Sequence, residues 1–210
     1  SMVLVLENFD STLQNYIYNE GPFEDEKELY ESVVHQICKT FNFLHENKIT
    51  HRDIKPTNIF VKRYNDEKIK VSIGDFYSAT YLKENKEREG SYEFMAPEII
   101  KGDIYDERCD LWNLGVFLIQ IYKGVSPYGS ELNKNKIREI FHNRKELYFS
   151  STRNKNLDII IRLLLQIDPN KRIGFKELME LLDGNFLDKT LDPKYNKYYN
   201  QIKDNLPNAI

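Results

Sequence analysis

The residues with the clearest chemical potential lie together in His51-Arg52-Asp53-Ile54-Lys55-Pro56-Thr57-Asn58. A carboxylate at Asp53 can orient a hydroxyl and take its proton. Two residues on, Lys55 can place a positive charge beside an anionic group in transfer. Asn58, five residues after Asp53, offers a neutral oxygen ligand to a hard cation such as Mg²⁺. His51 fits a hydrogen-bonding residue of the interior better than a proton shuttle. A solvated polar turn would also contain such residues, but it would not require this order.

Such a loop needs a helix to enter it and a strand to leave it. Leu29, Val33, Ile37, Phe41 and Leu44 recur at spacings of three and four, which predicts a helix over residues 28–47 with one buried face. Ile59-Phe60-Val61 and Lys70-Val71-Ser72-Ile73 read as two strands joined across the turn-prone Asn65-Asp66. Residues 77–90 form a polar loop without periodicity. Beyond Pro97 the chain reads as helices. Leu111, Leu114, Phe117, Leu118 and Ile121 make one stripe, ended by Gly124 and Pro127. A weaker helix falls near residues 133–143. Residues 157–167 are apolar nearly all round and belong in the core. Asp168-Pro169 stops that run, and Phe175, Leu178, Leu181 and Leu182 begin another helix. The fold class is therefore mainly α (α+β), a helical bundle with a small β-hairpin carrying the 51–58 loop. Residues 3–184 form one domain, followed by a polar, Tyr-rich tail over 185–210.

The 210 residues are 40% hydrophobic and 30% charged, enough apolar content for one core. A net charge of −3 removes the broad basic field of a sequence-independent nucleic-acid binder. The greasiest stretch, residues 159–165, is broken by Arg162 and is too short to span a bilayer. Two cysteines, Cys38 and Cys109, make no disulfide framework and suit a reducing compartment. An intracellular, cytoplasmic domain with no nucleic-acid or membrane partner is expected.

The 51–58 segment resembles the catalytic loop of eukaryotic protein kinases, H-R-D-L-K-P-x-N. The resemblance covers nearly the whole chain and implies a kinase-like C-terminal lobe. It implies that Asp53 orients the acceptor hydroxyl, that Lys55 faces the γ-phosphoryl of ATP, and that Asn58 binds Mg²⁺. Lysine at position 55 resembles the serine/threonine-specific group. Asp75-Phe76-Tyr77, 17 residues after Asn58, is similar to D-F-G. Asp75 would be the chief Mg²⁺ ligand, and Tyr77 stands where the family has glycine, so flipping of this segment should be restricted. Gly90-Ser91-Tyr92-Glu93-Phe94-Met95-Ala96-Pro97-Glu98 resembles G-T-x-x-Y-M-A-P-E, which implies that Ser91 sits beside Asp53 and Lys55. Glu98 and Arg172 match the family's buried ion pair. Asp110 matches the aspartate that anchors the catalytic-loop backbone.

Val3-Leu4-Val5-Leu6-Glu7-Asn8-Phe9 resembles the strand and hinge that end a kinase's small lobe. On that register Leu6 is the gatekeeper, Glu7 and Phe9 offer backbone groups to adenine, and Phe60 lies on the adenine floor. The sequence contains no G-x-G-x-x-G loop and no V-A-I-K lysine, so ATP and Mg²⁺ would meet half a site, and this chain alone should be inactive. Leu4, Leu6, Phe9 and Phe60 would face water unless a small lobe or another partner covers them. Two readings stay open: a serine/threonine kinase acting on protein substrates, or a pseudokinase-like binding module lacking the small lobe. The uncharged Thr12, Thr57 and Gln120 argue against an arginine-directed enzyme. Between Tyr81 and Ser91 there is no Ser, Thr or Tyr. Glu87, near Arg52, is expected to supply the ordering charge that loop phosphorylation gives elsewhere.

Overall fold

The computed structural model describes residues 7–21, 33–65, 68–81, 84–124, 126–128, 134–143 and 155–182. Leu4, Leu6 and the 185–210 tail lie outside the described residues. The architecture is α+β and helix-dominant, with one three-stranded antiparallel sheet among the described residues whose strands lie in chain order.

Strand β2 (Ile59–Asn65) and strand β3 (Lys68–Ile73) pair with Ile59 opposite Ile73 and Val61 opposite Val71, and slip in register between Arg63 and Asn65. Ile59 and Val61 alternate inward and are fully buried, as period-two side chains on one sheet face must be. Sequence pattern anticipated these two strands but not the third. Strand β1 is only Ser11–Thr12, held through backbone pairing with Phe60 and Val61. Asp10 extends the attachment: its N–H reaches Val61 O at 2.9 Å and its carboxylate accepts from Arg63 N at 2.7 Å. Thr12 then turns the chain into helix α1 (Leu13–Glu20) by accepting from Asn15 N, the usual work of an N-cap threonine.

Helix α2 (His35–Glu46) buries Ile37, Cys38, Phe41 and Leu44. It is pinned to β3 by Gln36, whose side chain donates to Ile69 O and accepts from Val71 N, both at 3.1 Å. Helix α3 (Pro97–Lys101) is followed by α4 (Arg108–Lys123), which is buried on nearly every side. Gly115 is required there, because a Cβ would meet Leu165 Cδ2 at 2.7 Å. The last helices are α5 (Lys134–Asn143), α6 (Lys155–Leu164) and α7 (Phe175–Leu182). Helix α4 packs on α6, and α2 on α7. Among the described residues no helix is long and apolar enough to cross a membrane.

One ion pair ties three segments of this bundle. Arg172, just past the 3-10 turn Pro169–Lys171, meets Glu98 of α3 with two bonds of 2.6 and 2.7 Å. It also donates to Arg108 O at 2.8 Å and Gln166 O at 2.9 Å, and its guanidinium lies over Trp112 at 5.3 Å. All five guanidinium donors need partners in the interior, and this arrangement supplies four bonds plus an aromatic face. Removing one partner would strand the other charge. Glu98→Ala should therefore lower the unfolding free energy in urea by about 3–5 kcal/mol; a loss under about 1 kcal/mol, the scale of an exposed pair, would contradict a structural role.

Candidate active site

The 51–58 loop leaves α2 and enters β2, and its shape is imposed from α4. His51 N–H and Arg52 N–H both end on the Asp110 carboxylate, at 2.7 and 2.8 Å. Asp110 is fully buried, and His45 Nε2 stands 3.2 Å from the same carboxylate. These bonds hold Arg52 at φ +71°, a left-handed backbone that a side-chain-bearing residue adopts only when its surroundings demand it. Asp53 follows this residue directly.

His51 is itself buried. Its Nδ1 accepts from Asp53 N–H at 3.3 Å, and its Nε2 lies 3.0 Å from Gly74 O. A carbonyl can only accept, so the proton sits on Nε2. His51 thus ties the loop to the end of β3, where its ring also meets Phe76 edge to face at 4.9 Å.

Asp53, Lys55, Asn58 and Ser91 converge. Lys55 Nζ lies 2.7 Å from Asp53 Oδ2 and 2.7 Å from Ser91 Oγ. Ser91 N–H donates to Asp53 Oδ1 at 2.7 Å. Asn58 Nδ2 donates to the Asp53 carbonyl and carboxylate at 2.9 and 3.1 Å. Gly90 permits this approach: at φ +97°, any Cβ would stand 2.2 Å from Arg52 O. Asp75 lies at the end of β3, exposed and left-handed at φ +59°. Tyr77 is 93% exposed within the 3-10 turn Phe76–Ser78. Among the described non-glycine residues, positive φ occurs at Lys48, Arg52 and Asp75 only, so in this conformation position 77 makes no demand for glycine.

The segment before Ser91 is fastened through Tyr105, which sequence reasoning missed. Its hydroxyl accepts from Arg52 at 3.2 Å and donates to Glu87 O at 2.6 Å, while its backbone bridges Asn85 in both directions. Burial pushes its phenol pKa up, which keeps it a donor. Arg52 also donates to Ser78 O. The Glu87 carboxylate stands 3.9 Å from Arg52 and is largely exposed, a Coulombic neighbour rather than a hydrogen-bond partner. No local pattern marks Tyr105 among 14 tyrosines; its partners lie far away in sequence.

On the hairpin side, Phe9 and Phe60 cover each other, with ring centroids 5.5 Å apart. Both are therefore half-buried rather than presented to water, which corrects the expectation of a bare apolar face for these two. Phe60 also occupies the space a Cβ would need at Gly74. Glu7 lies 3.3 Å from both Lys70 and Lys62, whose hydrogen bonds hold its carboxyl below the usual range. Two cavities among the described residues, of about 590 and 380 Å³, share His45 and Glu107, and neither of these two is lined by Asp53, Lys55, Asn58 or Asp75.

Among the described residues no group of three His, Cys, Asp or Glu side chains could hold a metal alone. Asn58 and Asp75 provide one amide and one exposed carboxylate, a set that suits Mg²⁺ taking its other oxygens from phosphate and water.

Residues 1–182 match the protein kinase domain family. The chain is 28% identical over 178 residues to calcium-dependent protein kinase 4 of Plasmodium berghei, covering 78% of this chain and 33% of that protein. It is 33% identical over 149 residues to Aurora kinase of Dictyostelium discoideum, covering 69% and 36%. It is also 33% identical over 146 residues to the serine/threonine-protein kinase ULK3 of Xenopus laevis, covering 68% and 31%. The chain spans about a third of the length of these relatives.

Burial pushes the Asp53 carboxyl up, but the bonds from Lys55 and Ser91 outweigh it and hold its pKa below the usual value. A folded-state pKa below the unfolded value of about 3.9 means that ionised Asp53 stabilises the fold above about pH 4. That contribution is lost as pH falls through the folded value. Wild type should therefore lose stability relative to Asp53→Asn as pH falls below about 4, measured by urea unfolding; a pH-independent difference would contradict the bonding described.

Proposed function

Because this chain belongs to the protein kinase family, we propose that residues 3–184 form the large lobe of a serine/threonine protein kinase, using ATP and Mg²⁺ to phosphorylate protein hydroxyls. The observation that carries this reading is the single ammonium, Lys55 Nζ, 2.7 Å from both the Asp53 carboxylate and the Ser91 hydroxyl. A substrate hydroxyl placed here meets a base and a cation together. Asp53 orients that hydroxyl and receives its proton as the bond to phosphorus forms. Lys55 offsets the negative charge on the γ-phosphoryl oxygens. Asn58 and Asp75 would hold Mg²⁺, which when bound neutralises the nucleotide phosphates.

The remaining assignments are supporting ones. His51 and Asp110 hold the catalytic loop, and Glu98 with Arg172 holds the helical bundle beneath it. Arg52, Tyr105 and Glu87 keep the activation segment against that loop, with Glu87 in place of a phosphate. Leu6, Glu7, Phe9 and Phe60 form the adenine side, and Tyr77 alters the D-F-G segment without removing its aspartate. A glycine-rich loop and lysine, which hold the phosphates in this family, belong to a small lobe that pairs with this one.

The test is phosphate transfer from labelled ATP-Mg²⁺ to generic Ser/Thr substrates, using the longest native form of the protein. Asp53→Asn should lower transfer by about 10²–10⁴-fold. Equal transfer by wild type and variant would refute the role of Asp53. No transfer from the folded wild type would refute the enzyme reading in favour of a binding module.

A further inference from the structure

The residue after Ser91 carries an arrangement that catalysis does not use. The ring of Tyr92 has Lys134 Nζ 5.2 Å and the Arg138 guanidinium 5.9 Å from its centroid. The Tyr92 hydroxyl is buried, so the ring enters the protein tip first. Both cations belong to α5, four residues apart and so on one helix face. Their stripe is set by Ile137 and Phe141, which are buried, Phe141 edge to face with Trp112 at 5.4 Å. The helix face that carries the two positive charges is therefore fixed by the core.

Both cations are exposed, and neither has an ion-pair partner among the described residues. Glu93, the adjacent carboxylate in the 90–94 stretch, pairs with neither. A cation over an aromatic face keeps its other side open to an anion. This positive spot occurs in a chain of net charge −3, so it is a local feature and not a general basic surface. Tyr92, which carries it, directly follows Ser91 in the chain, and the Ser91 hydroxyl lies beside the proposed transfer point.

We propose that Lys134 and Arg138, seated on Tyr92, form a substrate subsite that selects a carboxylate side chain close to the acceptor hydroxyl, making acidic peptides the preferred substrates. This rests on the kinase reading and adds the substrate class to it. The absence of charge at Thr12, Thr57 and Gln120 is consistent with it, since none of these positions offers a carboxylate to a basic peptide.

The experiment compares four serine peptides that carry aspartate, alanine, phosphoserine or lysine at positions scanned across both sides of the acceptor. The longest native form is assayed for transfer, and peptide binding is followed separately by fluorescence anisotropy. Aspartate should be preferred over alanine about fivefold, the scale of two exposed ion pairs of about 0.5 kcal/mol each. The preference should vanish in Lys134→Ala/Arg138→Ala and invert towards lysine-containing peptides in Lys134→Glu/Arg138→Glu. Equal use of aspartate and alanine, or a preference for phosphoserine with none for aspartate, would overturn the proposal. If no peptide is phosphorylated the kinase reading fails, and the anisotropy ratio still decides the subsite: fivefold tighter aspartate binding that is lost in the double variant supports it, and equal affinities overturn it.

Discussion

Two consecutive backbone N–H groups end on the carboxylate of Asp110, which lies in the first turn of α4 and touches no water. A buried carboxylate without partners would cost several kcal/mol. Here the cost is offset by charge-assisted bonds to His51 and Arg52, with the His45 ring at 3.2 Å. The exchange works in both directions. Asp110 needs these donors to be buried, and the loop needs Asp110 to keep Arg52 in a backbone region it would otherwise leave. Everything the loop presents, above all Asp53, follows from that anchor.

The same logic repeats outward with weaker parts. His51 fixes the end of β3 through Gly74 O, so Asp75 is placed relative to Asp53. Gly90 lets the approaching segment touch the Arg52 carbonyl, which brings Ser91 N–H to Asp53. Tyr105 joins the Arg52 side chain to the Glu87 carbonyl. Removing the Arg52 turn would disturb each of these contacts, because each ends on Arg52 or an immediate neighbour. The bundle beneath supplies the rigidity: α4 is buried on nearly all faces and locked against α6 at Gly115.

Much of this was legible in the sequence where a pattern repeats. The stripes of Ile37, Phe41 and Leu44, and of Leu111, Leu114, Phe117, Leu118 and Ile121, gave helices because burial of one face sets a period. The alternation around Ile59 and Val71 gave the hairpin. The candidate residues Asp53, Lys55, Asn58 and Ser91 could be grouped by motif, and they lie in hydrogen-bond contact. Strand β1 was not legible, since two polar residues paired only through backbone carry no side-chain signal. Tyr105 and His45 were missed because their partners lie 53 and 65 positions away along the chain. The mutual covering of Phe9 and Phe60 depends on a strand pairing that the sequence pattern did not reveal.

The account stands on Asp110 as the anchor of the loop, and amide hydrogen exchange at His51 and Arg52 tests this most directly. Asparagine at position 110 keeps the shape but replaces one accepting oxygen with a donor. In wild type both amides should be protected to the level of the α4 amides at residues 114–121. In Asp110→Asn they should exchange about ten- to a hundredfold faster relative to those α4 amides. Unchanged relative exchange at His51 and Arg52 would contradict the claim that Asp110 holds the loop.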